Sequence, residues 1–232
     1  MTPPLPADLD LTAVDVTLDE LDRDGALREA GSRLPRRRFL GLAAVGAAAF
    51  GGLAAPARGV TKGDIAILNY ALALEYLQSA FYTETERLAA VRGQAARVAR
   101  VVGAVERAHV AAFRELLGRK AIKRPTFDFR GATEDQQAFL KTAVAFEDLA
   151  VAAYKGQAHL IESDAVLAAA VSIHSVEARH AAWVRHLFGI RPAANAFDQA
   201  KPKAEIDRIV QSTSFVVARP RTRAKGGPRF TG

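Results

Sequence analysis

The chain has 232 residues, half of them hydrophobic, enough to bury one sizeable core. It contains no cysteine, which excludes disulfides, thiolate metal sites, iron–sulfur clusters, a rubredoxin-type module and a lipoprotein anchor. The formal net charge is +7, from 32 Lys+Arg against 25 Asp+Glu, and any metal must take oxygen and nitrogen ligands, which favours iron, manganese or zinc.

Residues 1–57 read as an address rather than as fold. Met1 to Gly31 is acidic and rich in Pro and Asp, the composition of a disordered leader. Pro35-Arg36-Arg37-Arg38-Phe39-Leu40 resembles a twin-arginine export signal, and an Ala/Gly-rich apolar run follows from Phe39 to Ala54. The run is short for a spanning helix. Ala55-Pro56-Ala57 then offers small residues for cleavage before Arg58. This order predicts export to the periplasm, the cell envelope or the exterior, with the twin-arginine translocase as a partner.

From Arg58 onward 26 Lys+Arg face 17 Asp+Glu, a net charge of +9, and five of these cations lie in the tail from Arg219. No aromatic-interleaved basic stripe or nucleic-acid motif accompanies them. They are read as a solvated surface plus a loose tail, with no nucleic-acid partner.

Four long segments carry helical periodicity. The first runs from about Lys62 to Val91, with Thr61-x-x-Asp64 as its start signal. The second spans about Gln94 to Leu117 and stops at Gly118. The third begins at Thr133-x-x-Gln136, read as a capping box, and continues to about Ile161. The fourth starts after Ser163 or Asp164 and ends near Phe188. A short helix over Lys203 to Gln211 is expected to cap one end, and the final Pro/Gly-containing stretch to be mobile. The domains expected are therefore 1–57, a four-helix bundle over 58–192, and a C-terminal extension over 193–232.

One pattern is written twice along these helices. Ala71-x-Ala73-x-Glu75-x-Leu77-x-x-Ala80-x-Tyr82 recurs 72 residues later as Ala143-x-Ala145-x-Glu147-x-Leu149-x-x-Ala152-x-Tyr154. Val105-Glu106-x-x-His109 recurs 71 residues later as Val176-Glu177-x-x-His180. Four carboxylates and two imidazoles in apolar stretches need a partner, because an unpaired buried charge is costly. The midpoint between Glu75 and His109 falls at the Arg92-Gly93 turn, and that between Glu147 and His180 at Ser163-Asp164. In antiparallel hairpins both sets then lie at matched depth, roughly 25 Å from their turns at about 1.5 Å per residue.

The connection from Arg119 to Ala132 could reach roughly 46 Å if extended at about 3.3 Å per residue, long enough to run the length of the bundle. Phe127-Asp128-Phe129 alternates like a strand pressed onto it. A long crossover relating the two hairpins by an internal two-fold axis is therefore favoured over an up-down-up-down bundle with a floppy loop.

Residues three apart on a helix share a face, so Glu106/His109 and Glu177/His180 can each clamp one metal. Glu75 and Glu147 then supply terminal or bridging carboxylates. Four carboxylates against two divalent ions are formally neutral; without metal, four acids in one layer would repel and take up protons.

Tyr82 and Tyr154 each sit seven residues beyond a lone glutamate. They read as hydrogen-bond donors to the ligands or electron relays, or more simply as core tyrosines whose hydroxyls find a carboxylate or water. His174 either orients a ligand or is an ordinary satisfied histidine. His159 and His186 fall near helix ends, Asp148 points away from the ligand face, Glu84 and Glu86 read as rim, and Trp183 as core.

Ile67-Leu68-Asn69-Tyr70-Ala71-Leu72-Ala73-Leu74-Glu75-Tyr76-Leu77, Phe146-Glu147-Asp148 and Ile173-His174-Ser175-Val176-Glu177-Ala178-Arg179-His180 carry a likeness to a known family. Over about Thr61 to Gly189 the chain resembles the ferritin-like superfamily of di-iron and di-manganese carboxylate proteins, especially the bacterial branch related to plant desiccation-related proteins. The resemblance implies an all-α ferritin-like four-helix bundle and metal-ligand roles for Glu75, Glu106, His109, Glu147, Glu177 and His180. It further implies two iron or manganese ions that oxidise Fe²⁺ or react with O₂ or peroxide in stress protection. A different class of reading is a non-catalytic, metal-stabilised structural or desiccation/stress protein of the cell envelope. Absent thiolates separate the chain from rubrerythrins, and the residues leave homo-oligomerisation open.

Overall fold

The computed structural model describes residues 60–217, so the expected export signal and the basic tail from Arg219 lie outside the described residues. Helix α1 covers Lys62–Leu88. Its start is the expected capping box: Asp64 N donates to Thr61 Oγ1 at 3.0 Å and Thr61 N to Asp64 Oδ2 at 3.3 Å. It stops before Val91 because Ala89 turns left-handed (φ 50°), with its N–H closing on Thr85 O.

Helix α2 spans Gly93–Leu117 and ends at Gly118, whose φ of 53° suits a residue without Cβ. A 3₁₀ turn over Gly118–Lys120 leads into the connection. Helix α3 is Gln136–Ala158, α4 is Asp164–Leu187 and α5 is Lys203–Thr213.

Thr133 does not cap α3. Asp135 does, accepting from Ala138 N at 2.8 Å, while the buried Thr133 hydroxyl donates to Glu84 Oε1 at 2.8 Å. Either side chain could cap; packing against α1 drew Thr133 away.

Helices α1 and α2 form one hairpin, α3 and α4 the other, with α1 also against α3 and α2 against α4. Both helix-start anchors fix the direction. Asp64 Oδ1, at the start of α1, accepts from Glu162 N beyond the end of α3 at 2.9 Å. Gln136 Oε1, at the start of α3, accepts from Arg92 N beyond the end of α1 at 3.0 Å. The helices α1 and α3 are therefore antiparallel neighbours, which requires the long crossover and not an up-down-up-down loop.

The crossover is pinned rather than floppy. Strand β1 (Thr126–Phe127) pairs antiparallel with β2 (Val216–Val217), matching Thr126 to Val217 and Phe127 to Val216. Phe127 and Phe129 are buried, and Phe129 packs edge-on against Phe81 at 5.4 Å and Phe215 at 5.5 Å. Burying rings of this size stabilises the fold by about 1.5–3 kcal/mol each. Asp128, between them, is buried too, because its Oδ1 accepts from Arg130 N at 3.0 Å.

Helix α5 does not cap an end. Its Ile206 is fully buried against Tyr70 and Leu74 of α1 and Leu149, Ala152 and Ala153 of α3, on the flank of the bundle. The segment leading into α5 crosses α3 at Gly156, where an added Cβ would stand 2.0 Å from Lys201 O. Among the described residues no helix is long and apolar enough to cross a membrane.

Candidate metal centre

Each of the four bundle helices carries part of one buried polar layer. Glu75 comes from α1, Glu106 and His109 from α2, Glu147 from α3, Glu177 and His180 from α4. All four glutamates are fully buried and both histidines nearly so. The helix repeat of 3.6 residues puts each Glu-x-x-His pair on one inward face. The antiparallel hairpins then bring the lone glutamates to the same level.

The six residues fall into two overlapping groups. Glu75, Glu106, His109 and Glu177 place one ligand-type atom each within 4.8 Å of the others; so do Glu106, Glu147, Glu177 and His180. Glu106 and Glu177 thus stand in both groups, while Glu75 and Glu147 each stand in one. Spacing had given the terminal or bridging role to the lone glutamates Glu75 and Glu147. Here the shared pair belongs to the Glu-x-x-His motifs.

His109 Nδ1 lies 3.2 Å from Glu75 Oε2, 3.2 Å from Glu177 Oε1 and 3.6 Å from Glu106 Oε2. His180 Nδ1 lies 3.0 Å from Glu106 Oε1, 3.5 Å from Glu147 Oε2 and 3.9 Å from Glu177 Oε2. These are ion-pair distances, yet neither nitrogen has a hydrogen bond of good geometry. Among the described residues, seven of the nine buried side-chain polar atoms without a hydrogen-bond partner belong to this layer. One N–H cannot serve three carboxylates at once, whereas a cation at their common focus can. The donor set of oxygen and imidazole nitrogen suits iron, manganese or zinc.

The outer oxygens of the layer are held by neighbours. Tyr82 donates to Glu147 Oε1 at 2.5 Å, Tyr154 donates to Glu75 Oε1, and Gln78 Nε2 donates to Glu177 Oε2 at 3.4 Å. Each tyrosine therefore serves the lone glutamate of the other repeat. Gln78 escaped the sequence reading; its signal was an amide on the core face one turn past Glu75, where the second repeat has Ala150.

The protonation equilibria follow from this crowding. Burial, then the neighbouring Glu75 charge, pushes Glu106 up to about 7. Burial and Glu106 likewise lift Glu177 well above the usual carboxylate range. Burial would raise Glu75 too, but His109 beside it outweighs that and holds it low. Burial alone would lower His180, yet Glu106 and Glu147 lift it to about 10; His109 is driven still higher, Glu75 overcoming its burial. Burial and the adjacent carboxylates keep both tyrosine hydroxyls protonated far beyond their ordinary range.

The remaining candidates stay outside the layer. Asp148 pairs with Arg185 at 2.6 Å, Glu86 with Arg107 at 2.8 Å, and Glu84 accepts from Thr133. His174 has a buried Nε2 with no hydrogen-bond partner, so it steadies no ligand through that atom. His159 and His186 are exposed, and Trp183 packs half-buried at the core edge.

No curated protein matches the chain. Residues 63–189, more than half of its length, match the ferritin-like domain. That span holds all four bundle helices and the whole buried carboxylate–histidine layer, and the chain belongs to the ferritin-like domain family.

Proposed function

We propose that Glu75, Glu106, His109, Glu147, Glu177 and His180 would hold two iron or manganese ions, Glu106 and Glu177 being the glutamates within reach of both groups. In this reading the protein is an exported, twin-arginine-dependent member of the branch related to desiccation-related proteins. It acts in stress protection by oxidising Fe²⁺ or reacting with O₂ or peroxide. The observation that carries the reading is the approach of each imidazole Nδ1 to three carboxylates drawn from three helices, with no hydrogen bond to satisfy it.

A bound pair of divalent ions would supply two one-electron oxidations, enough to convert O₂ and two protons to hydrogen peroxide. The chain's own residues set the stage for this. Tyr154 and Tyr82 each occupy one oxygen of Glu75 and Glu147, leaving Oε2 to face the histidines. Gln78 donates to Oε2 of Glu177, leaving Oε1 to face His109. Complete burial of the four carboxylates keeps water out and strengthens their field on any cation.

A second reading draws on the fact that all four helices contribute to the layer, which suits a metal brace without turnover. Elemental analysis of the exported protein, recovered without chelators, separates the possibilities. About two iron or manganese ions per chain, with oxygen or peroxide consumption, is the expected result. Two redox-silent zinc ions would favour the brace. A stably folded chain with no bound metal would sink both.

A further inference from the structure

The sequence repeat gives every core position on one side of the carboxylate layer a counterpart on the other, and the two sides are not filled alike. Toward the α1–α2 turn, Phe81 stacks on Phe139 at 5.4 Å and meets Phe146 edge-on at 5.1 Å, closing the core. The 72-residue repeat maps Phe81 to Ala153, Phe139 to Ile67 and Phe146 to Leu74. These smaller residues lie toward the α3–α4 turn, and there a partly open apolar cavity of about 20 Å³ lies between Ile67, Leu74, Ala153 and Tyr154.

The cavity is almost wholly apolar, and Tyr154, whose hydroxyl binds Glu75, forms part of its wall. By the same measure a water molecule needs about 10–15 Å³, so there is room for one small molecule. Water also needs two to four polar partners, which this lining does not provide. Hydrogen peroxide would lose its hydrogen bonds on entry. A small apolar molecule loses nothing, as dry cavities that take up xenon illustrate.

We infer that this cavity is a dioxygen-binding site serving the Glu75 side of the dinuclear centre, its pseudo-symmetric counterpart being closed by Phe81, Phe139 and Phe146. The inference rests on the dinuclear reading and deepens it, since it makes O₂ rather than peroxide the oxidant. It also polarises an otherwise two-fold layer, with access beside Glu75 and a sealed wall beside Glu147.

The test begins with metal-free, full-length protein under xenon pressure, examined by crystallography or xenon NMR. Xenon is expected in the cavity of the wild type and not in A153F or I67F, which install the ring found at the counterpart position. Two sites on different helices keep the test decisive if one variant fails to fold. After iron loading, both variants are expected to keep the wild-type metal content and peroxide reactivity while O₂-driven oxidation slows several-fold. An unchanged O₂ rate in a variant that excludes xenon would overturn the inference. Xenon excluded from a wild-type protein that holds two metals would mean that the cavity assignment has failed. Xenon in the cavity of a protein that takes up no metal would mean that the dinuclear reading has failed.

Discussion

Tyr154 on α3 donates its hydroxyl to Glu75 on α1, and Tyr82 on α1 returns the same bond to Glu147 on α3. Seven residues along a helix is about 10 Å, too far for either tyrosine to reach the glutamate that precedes it. The antiparallel neighbour brings the other repeat's carboxylate into range instead. Two hydrogen bonds thus lock the hairpins in register at the depth of the candidate metal layer.

Tyr154→Phe removes the donor and leaves a buried Glu75 oxygen unsatisfied. Metal affinity is expected to fall about 10- to 100-fold, the usual effect of losing a residue that orients a ligand. Competition with a chelator measures it, and far-UV circular dichroism should show the helices intact. Unchanged affinity would mean that the bond serves packing alone.

The overlap of the two ligand groups predicts unequal ligand variants. Glu106→Ala, which touches both groups, is expected to lose both ions. Glu147→Ala touches one, and is expected to spare the ion held by Glu75, Glu106, His109 and Glu177. Metal content per chain for each purified variant decides it; equal losses would contradict the sharing.

Stripped of metal, the protein should weaken as pH rises. Glu106, lifted by burial and by Glu75 from 4.5 to about 7, costs the fold stability as it ionises across that range. His180, which Glu106 and Glu147 lift against burial from 6.5 to about 10, contributes stability that is full below 6.5 and lost as pH rises through 10. Glu75, held low by His109 against burial, acts in the opposite sense, but only in acid. The melting temperature of chelator-treated protein should therefore drop between about pH 6 and pH 9. The metal-loaded protein, whose ions displace these protons, should hold steady or gain.

Phe81 touches Tyr82, Phe129, Phe139 and Phe146 within ring-centroid distances of 5.1–5.4 Å. Phe81→Ala is expected to cost about 3–5 kcal/mol in chemical denaturation. A loss much under that range would show that the aromatic cluster collapses into the space.

At Gly156 an added methyl would stand 2.0 Å from Lys201 O and 2.9 Å from its carbonyl carbon, both backbone atoms that cannot rotate away. Gly156→Ala should lift the segment leading into α5 and free Ile206, costing about 1–3 kcal/mol. Hydrogen exchange should rise over 201–213 and leave the four bundle helices protected. Uniform loss of protection would place the extension inside the bundle's cooperative unit.

Periodicity, the duplicated Glu and Glu-x-x-His patterns and the length of the 119–132 connection were enough to read an all-α four-helix bundle with a long crossover and a polar layer at mid-depth, and the resemblance added its ferritin-like character. Those features follow from the chain alone because helix rise and repeat are constants, so spacing along the sequence converts directly into depth and face. Packing between segments decided the rest. Spacing pointed to Thr133 as the cap of α3, but Asp135 caps instead, because the approach of Glu84 draws the Thr133 hydroxyl away. It put Tyr82 on the face of Glu75, two turns further along, without naming the carboxylate its hydroxyl would find, which is Glu147 across the bundle. It put α5 over an end, while the apolar face of α5 found the α1–α3 flank at Ile206. Gln78, the sharing of Glu106 and Glu177, and the phenylalanines that fill one side of the layer but not the other all depend on which side chains converge from different helices. Such convergence depends on helix rotation and register, which the one-dimensional spacing of a single helix does not encode.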